Sequence, residues 1–148
     1  MTRSKADRAV VAARLKWIRQ MLAGIRQLPV AEAREFFADP RNAAAAESYL
    51  RRALEALFDL GRHVLARELG IPADEYKEIA RGLRDHGLVD ADTGDLAIKM
   101  AGYRNRMVHF YNEITPEELR EICAEHLDEI EAVAAAVARW LRSRRPSP

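Results

Sequence analysis

Apolar residues recur at helical spacing along almost the whole chain, and a proline or glycine interrupts each run. Val11, Leu15, Ile18, Leu22 and Ile25 step by four and three residues, which places them on one stripe of a helix predicted over about Ser4 to Gln27. Leu28-Pro29 ends it, because the residue before proline is pushed out of helical geometry. A short helical piece, Val30 to Ala38, follows and stops at Asp39-Pro40. From about Asn42 to Leu69, Leu50, Leu54, Leu57, Val64 and Leu65 fall along one side, and Gly70 supplies the stop. Glu75 to Asp85 reads as a shorter helix closed by Gly87. The segment VDADTG, residues 89–94, reads as a loop leading into a helix from Asp95 to about Val108. Thr115 as N-cap, Pro116 at the first helical position and Glu118 completing a capping box open the last helix, which runs to about Arg142.

No segment alternates apolar and polar residues as a half-buried strand would, and no repeat of 20 to 50 residues is visible. The fold class this predicts is all-α: an up-and-down bundle of four to five main helices. At 148 residues the chain is expected to be a single domain, residues 1–148, with a disordered tail from about 143 to 148.

Composition excludes several functions. The lone Cys123 forms no intramolecular disulfide and reads as a small apolar helix residue rather than a reactive thiol. No apolar run approaches the roughly 18 to 20 residues that span a bilayer. Charges break the short VVAA run that a signal peptide would need, so a cytoplasmic protein is expected. Asp90, Asp92 and Asp95 sit around Gly94, but Ala101 stands where a calcium loop needs its last carboxylate. His63, His86 and His126 show no ligand spacing, and neither a metal nor a cofactor is expected.

The net charge of +1 gives no overall pull towards nucleic acid, so affinity has to come from local patches. Charge is distributed unevenly, however. Residues 1–27 carry seven Lys or Arg against Asp7 alone, 7 − 1 = +6, whereas residues 113–135 carry eight acids against Arg120, 1 − 8 = −7. Mutual attraction of the two helices across the bundle is the plainer explanation. A grip on RNA phosphates by the basic helix is the sharper one.

The chemistry concentrates in RNRMVHFY, Arg104 to Tyr111, a pattern R-x4-H-x-Y. A guanidinium holds phosphate oxygens as a fork, and an imidazole moves protons near neutral pH. Both suit a phosphodiester. On a regular helix, residues five apart point about 140° away from each other. Arg104 and His109 therefore share a face only if the helix loosens after Val108 or if two copies of the motif meet across a two-fold axis. Asp59 interrupts the apolar side of the long helix between Phe58 and Leu60. Arg104 or His109 is a candidate partner for that carboxylate, and a plain surface position is the alternative. Arg106 reads as ordinary surface charge, with a contribution to phosphate binding as the alternative.

This pattern resembles the R-x4-6-H signature of the HEPN superfamily in its HepT branch, where a tyrosine follows two residues after the histidine. KMAGYRNRMVHFYNEI, Lys99 to Ile114, is similar to the family's core segment. ESYLRRALEALFDLGRHVLARELG, Glu47 to Gly70, resembles its long second helix with an internal acidic residue. Several expectations follow from the likeness. The chain is a metal-independent endoribonuclease toxin of a type VII-like HEPN/MNT toxin–antitoxin pair, acting as a homodimer whose motif lines a shared cleft. Arg104 and His109 are catalytic, Asn105 and Asp59 are supporting, and the product is a 2′,3′-cyclic phosphate. The partner is an MNT-type nucleotidyltransferase antitoxin that adenylylates Tyr111, setting a phosphodiester anion beside the cation and blocking RNA. The alternative is a non-catalytic helical module that binds nucleotide or protein and docks a nucleotidyltransferase. A homodimerisation bundle without a site is the blandest reading.

Overall fold

The computed structural model describes residues 6–109 and 114–144, with only the backbone of His109 among them. Seven helices follow in order: α1 Arg8–Arg26, α2 Ala33–Ala38, α3 Pro40–Leu69, α4 Tyr76–Asp85, α5 Ala91–His109, α6 Pro116–Glu125 and α7 Leu127–Arg144. Of the described residues, 83% are helical and none is in a strand, which makes the fold an all-α bundle. No helix among them is long and apolar enough to cross a membrane.

The thirty-residue α3 is the central element. Asp39 caps it by accepting from Arg41 N–H at 2.9 Å, and Pro40 occupies the first turn, where its missing N–H removes nothing. Asp39-Pro40 is thus a start as much as a stop. Gly70 closes the helix with φ of 66°, a conformation that costs glycine little. Leu50, Leu54, Leu57, Val64 and Leu65, the predicted stripe, are all buried, as are Phe58 and Leu60. On α1, Val11, Ile18, Leu22 and Ile25 are buried and Leu15 packs against the core.

Several boundaries differ from those predicted: α1 starts at Arg8, after its Asp7 cap, α2 starts at Ala33 rather than Val30, and three further differences follow. The stretch expected to be a loop before Asp95 is helical from Ala91, because Asp90 accepts Thr93 N–H at 2.7 Å and so caps α5. Gly94 is inside that helix, and a Cβ there would run into the stem of Arg84 on α4, so the glycine permits close packing of α4 on α5. The last predicted helix is broken at His126 into α6 and α7. Finally, α7 continues through Arg144, past the predicted start of the tail, and residues 145–148 lie outside the described residues. The extra turn is anchored: Arg144 pairs with Glu68 at 3.3 Å and lies over the Trp140 ring at 5.2 Å.

Glu68 is a buried carboxylate that also accepts Ala6 N–H at 2.7 Å. Next to it, Asp7 N–H donates to His63 Nε2 at 2.9 Å, which requires that nitrogen to be unprotonated. The expected attraction between the basic first helix and the acidic last one is present at Arg26, which reaches Asp128 at 2.9 Å and Glu131 at 2.7 Å. Exposed pairs of this kind contribute little. Cys123 is buried and its thiol is pushed up to about 12 by that burial, so it is inert packing, as its sequence context implies.

Two consequences can be measured. Burial, reinforced by Arg67, pushes the His63 imidazole below its ordinary value of 6.5, so the unfolded chain binds a proton more readily than the folded one. Stability is therefore complete above that ordinary value and declines as pH falls through the lower folded one. Thermal melting from about pH 8 to about pH 5 should show a drop that His63→Gln reduces. Gly94→Ala should destabilise the protein by about 1–3 kcal/mol in urea unfolding, through overpacking against α4.

Candidate functional site

The motif is carried by the second half of α5, which packs against α3 and α4. Arg104 points into the junction of these three helices, its side chain only 17% exposed. Such a guanidinium needs partners, and two hold it. Glu55 on α3 accepts from Nε at 3.2 Å and from Nη2 at 2.9 Å, both on Oε2. The Tyr76 ring, at the first position of α4, lies beneath it with 4.4 Å from guanidinium carbon to ring centroid. Tyr76 in turn stacks on Phe58 at 5.2 Å and 20°. Burial pushes the Tyr76 phenol up, so it stays protonated at neutral pH.

Glu55 is held from the other side by Arg51, at 3.5 Å to Oε1. An open cleft of about 570 Å³ runs past these groups, lined by Arg62, Asp74, Glu75, Tyr76, Arg104 and Asn105. Arg104 spends two of its five N–H donors on Glu55, and no bond from Nη1 is seen among the described residues. Asn105 lines the same cleft, so these two neighbours in the motif are brought together.

Other predicted residues fall differently. Asp59 is half-exposed and pairs with Arg62 at 3.1 Å, one turn along the same helix. The carboxylate that meets Arg104 is Glu55, one turn earlier than Asp59. Helix α5 stays regular as far as His109, its last residue, so on the backbone His109 is about 140° round the axis from Arg104. The stretch just beyond, where a loosening after Val108 would show, lies outside the described residues. The His109 side chain and Tyr111 lie outside the described residues. Arg106 is more than surface charge: it forks onto Glu118, with 3.1 Å from Nη1 to Oε2 and a second contact from Nη2 to Oε1. Glu118 thereby turns its side chain to α5, while Thr115 caps α6 by accepting Glu118 N–H at 3.1 Å.

Sequence reasoning missed Glu55, Tyr76 and Arg62. Glu55 had a faint signal, since it precedes Asp59 by one turn and so lies on the same face of α3. Tyr76 had none, because its role depends on where α4 docks. His126 shows no ligand spacing in the sequence, yet the break after α6 brings one donor atom each of Glu121, Glu125 and His126 within 4.8 Å of one another, with Glu129 at 2.7 Å from the His126 Nδ1.

The sequence matches the HepT-like family, described as ribonuclease HepT-like, over residues 18–137, and the chain belongs to that family. No curated protein matches it. Among solved structures it resembles a tri-AMPylated HEPN toxin of Shewanella oneidensis in complex with an MNT antitoxin. The TM-score is 0.79 at 20% identity, covering 88% of this chain and 97% of that one. It also resembles a toxin–antitoxin structure containing AMP-PNP, with a TM-score of 0.76 at 20% identity, covering 86% and 97%. At that identity the likeness carries the fold.

The Arg104 arrangement yields its own test. Glu55→Ala leaves a nearly buried guanidinium without its anion and should destabilise the protein by about 1–3 kcal/mol in chemical unfolding. Glu55→Gln keeps one acceptor and should lose less.

Proposed function

We propose that this chain is a metal-independent endoribonuclease and the toxin of a toxin–antitoxin pair, acting as a cytoplasmic homodimer of single-domain protomers. The observation that carries the reading is the preset Arg104 guanidinium, held by Glu55 and Tyr76 at the wall of a cleft it shares with Asn105. Membership of the HepT-like ribonuclease family supports it.

RNA brings its own nucleophile. The 2′-oxygen attacks the adjacent phosphorus and the bond from phosphorus to the 5′-oxygen breaks. His109 takes the proton from the 2′-hydroxyl, and a proton returns to the leaving oxygen, giving a 2′,3′-cyclic phosphate and a 5′-hydroxyl. Arg104 stabilises the charge that builds on the phosphate oxygens. The helical course of α5 as far as its last residue supports a site assembled from two chains, since positions 104 and 109 are five residues apart on one helix. Val108, 44% exposed beside His109, offers apolar surface for that contact. An MNT-type nucleotidyltransferase is the proposed antitoxin, adenylylating Tyr111; the solved relatives are toxin–antitoxin structures, one of them tri-AMPylated. The added phosphodiester would compete with RNA for Arg104.

One observation favours a second reading. Glu55 already neutralises Arg104, as it would in a binding module that docks a nucleotidyltransferase and cuts nothing. The two part on a direct assay. Purified protein with excess chelator should cut RNA, leave DNA intact and yield cyclic phosphate ends detectable by mass spectrometry. His109→Ala and Arg104→Ala should each slow cleavage by about 10²- to 10⁴-fold without lowering the melting temperature enough to unfold the protein. Intact RNA after incubation with a folded wild-type dimer would overturn the nuclease reading in favour of a non-catalytic protein.

A further inference from the structure

Arg62 lines the same cleft as Arg104, and its charge invites the reading that it too holds phosphate. Its hydrogen bonds say otherwise. Nη1 donates to Asp59 at 3.1 Å, Nε donates to the carbonyl of Ala73 at 3.3 Å and Nη2 donates to the carbonyl of Asp74 at 3.1 Å. One guanidinium on α3 thus ties down the two residues of the α3–α4 connection that precede Glu75. Glu75 is the N-cap of α4 and makes no side-chain capping bond. The start of α4 therefore lacks the local device that normally fixes a helix entry, and Arg62 supplies a substitute from outside. The first residue after that cap is Tyr76, whose ring lies on Phe58 and beneath Arg104. Arg62 itself is 6.0 Å from the same ring.

We infer that Arg62 is a positioning residue: with Asp59 behind it, it straps the 73–74 backbone, sets Tyr76 and through Tyr76 fixes the angle at which Arg104 meets the cleft. This rests on the reading of Arg104 as the phosphate-holding group. It also assigns Asp59 an indirect part, orienting Arg62, in place of a direct bond to the motif arginine. The strap depends on a planar fork that reaches three acceptors at once, which a lysine ammonium cannot reproduce although it keeps the charge.

The test compares wild type, Arg62→Ala, Arg62→Lys, Arg104→Ala and the Arg62→Ala/Arg104→Ala double variant of the full chain in cleavage of single-stranded RNA. Both Arg62 variants should lower kcat by about 10- to 100-fold, as misplacement of a catalytic group does, with KM changed by less than about 3-fold. In the Arg104→Ala background, Arg62→Ala should cause no further loss, because the group it positions is gone. A lysine variant near wild-type activity, a raised KM at unchanged kcat, or losses that multiply in the double variant would each overturn the proposal in favour of a direct phosphate contact. Melting measurements without RNA keep the inference separate from the nuclease reading. Arg62→Ala should lower Tm clearly in the wild type and less in a Tyr76→Ala background, and equal drops in both would sink the linkage even in a protein that cuts RNA. If the linkage appears and no RNA is cut, the nuclease reading is what fails.

Discussion

Every other helix of this protein packs against α3, and the rest of the architecture is arranged by what that helix exposes on each side. Leu50, Leu54, Leu57, Phe58, Leu60 and Leu65 are fully buried, and each such side chain contributes about 1.5–3 kcal/mol relative to an exposed one. Glu55, Asp59 and Arg62, spaced four and three residues apart, form a polar strip along one side of α3. The motif helix α5 and the start of α4 meet along that strip. The site is thus located where the central helix stops being apolar.

Arg104 shows how a charge is kept near the interior. A guanidinium with little water around it has to be compensated, and one carboxylate with one aromatic face does so. The same two contacts hold it in place and leave Nη1 without a bond among the described residues. Arginine suits this better than lysine because its donors are spread in a plane, so some bind the protein while others stay available. Under the proposed function, neutralisation by Glu55 means that an incoming phosphate would compete with a resident anion, so geometry would matter more than simple charge attraction.

How much of this can be read from residues alone varies with the distance over which each feature is decided. The helical stripes on α1 and α3, the stop at Gly70 and the cap at Thr115 are local events, and they lie where periodicity and capping chemistry put them. Asp90 is also a local cap, yet the DADTG composition imitates a loop, and Gly94 looks like a breaker until Arg84 of the neighbouring helix is found against it. The break at His126 leaves no trace: Leu119, Ile122, Cys123, Leu127, Ile130 and Ala134 keep helical spacing straight through it. Asp59 interrupts an apolar stretch and pairs with Arg62, whereas Glu55 one turn away is the residue in contact with Arg104.

Fold class, the order of the main helices and the identity of the motif are properties of short windows, since hydrophobic period and turn residues act within a few positions of themselves. The Arg104 environment has no such window. It joins residue 104 to Glu55 and Tyr76, positions far apart in the chain, and their meeting depends on the docking of α3, α4 and α5. Ion pairs and ring contacts over that separation follow from packing geometry, which no local pattern of residue types encodes.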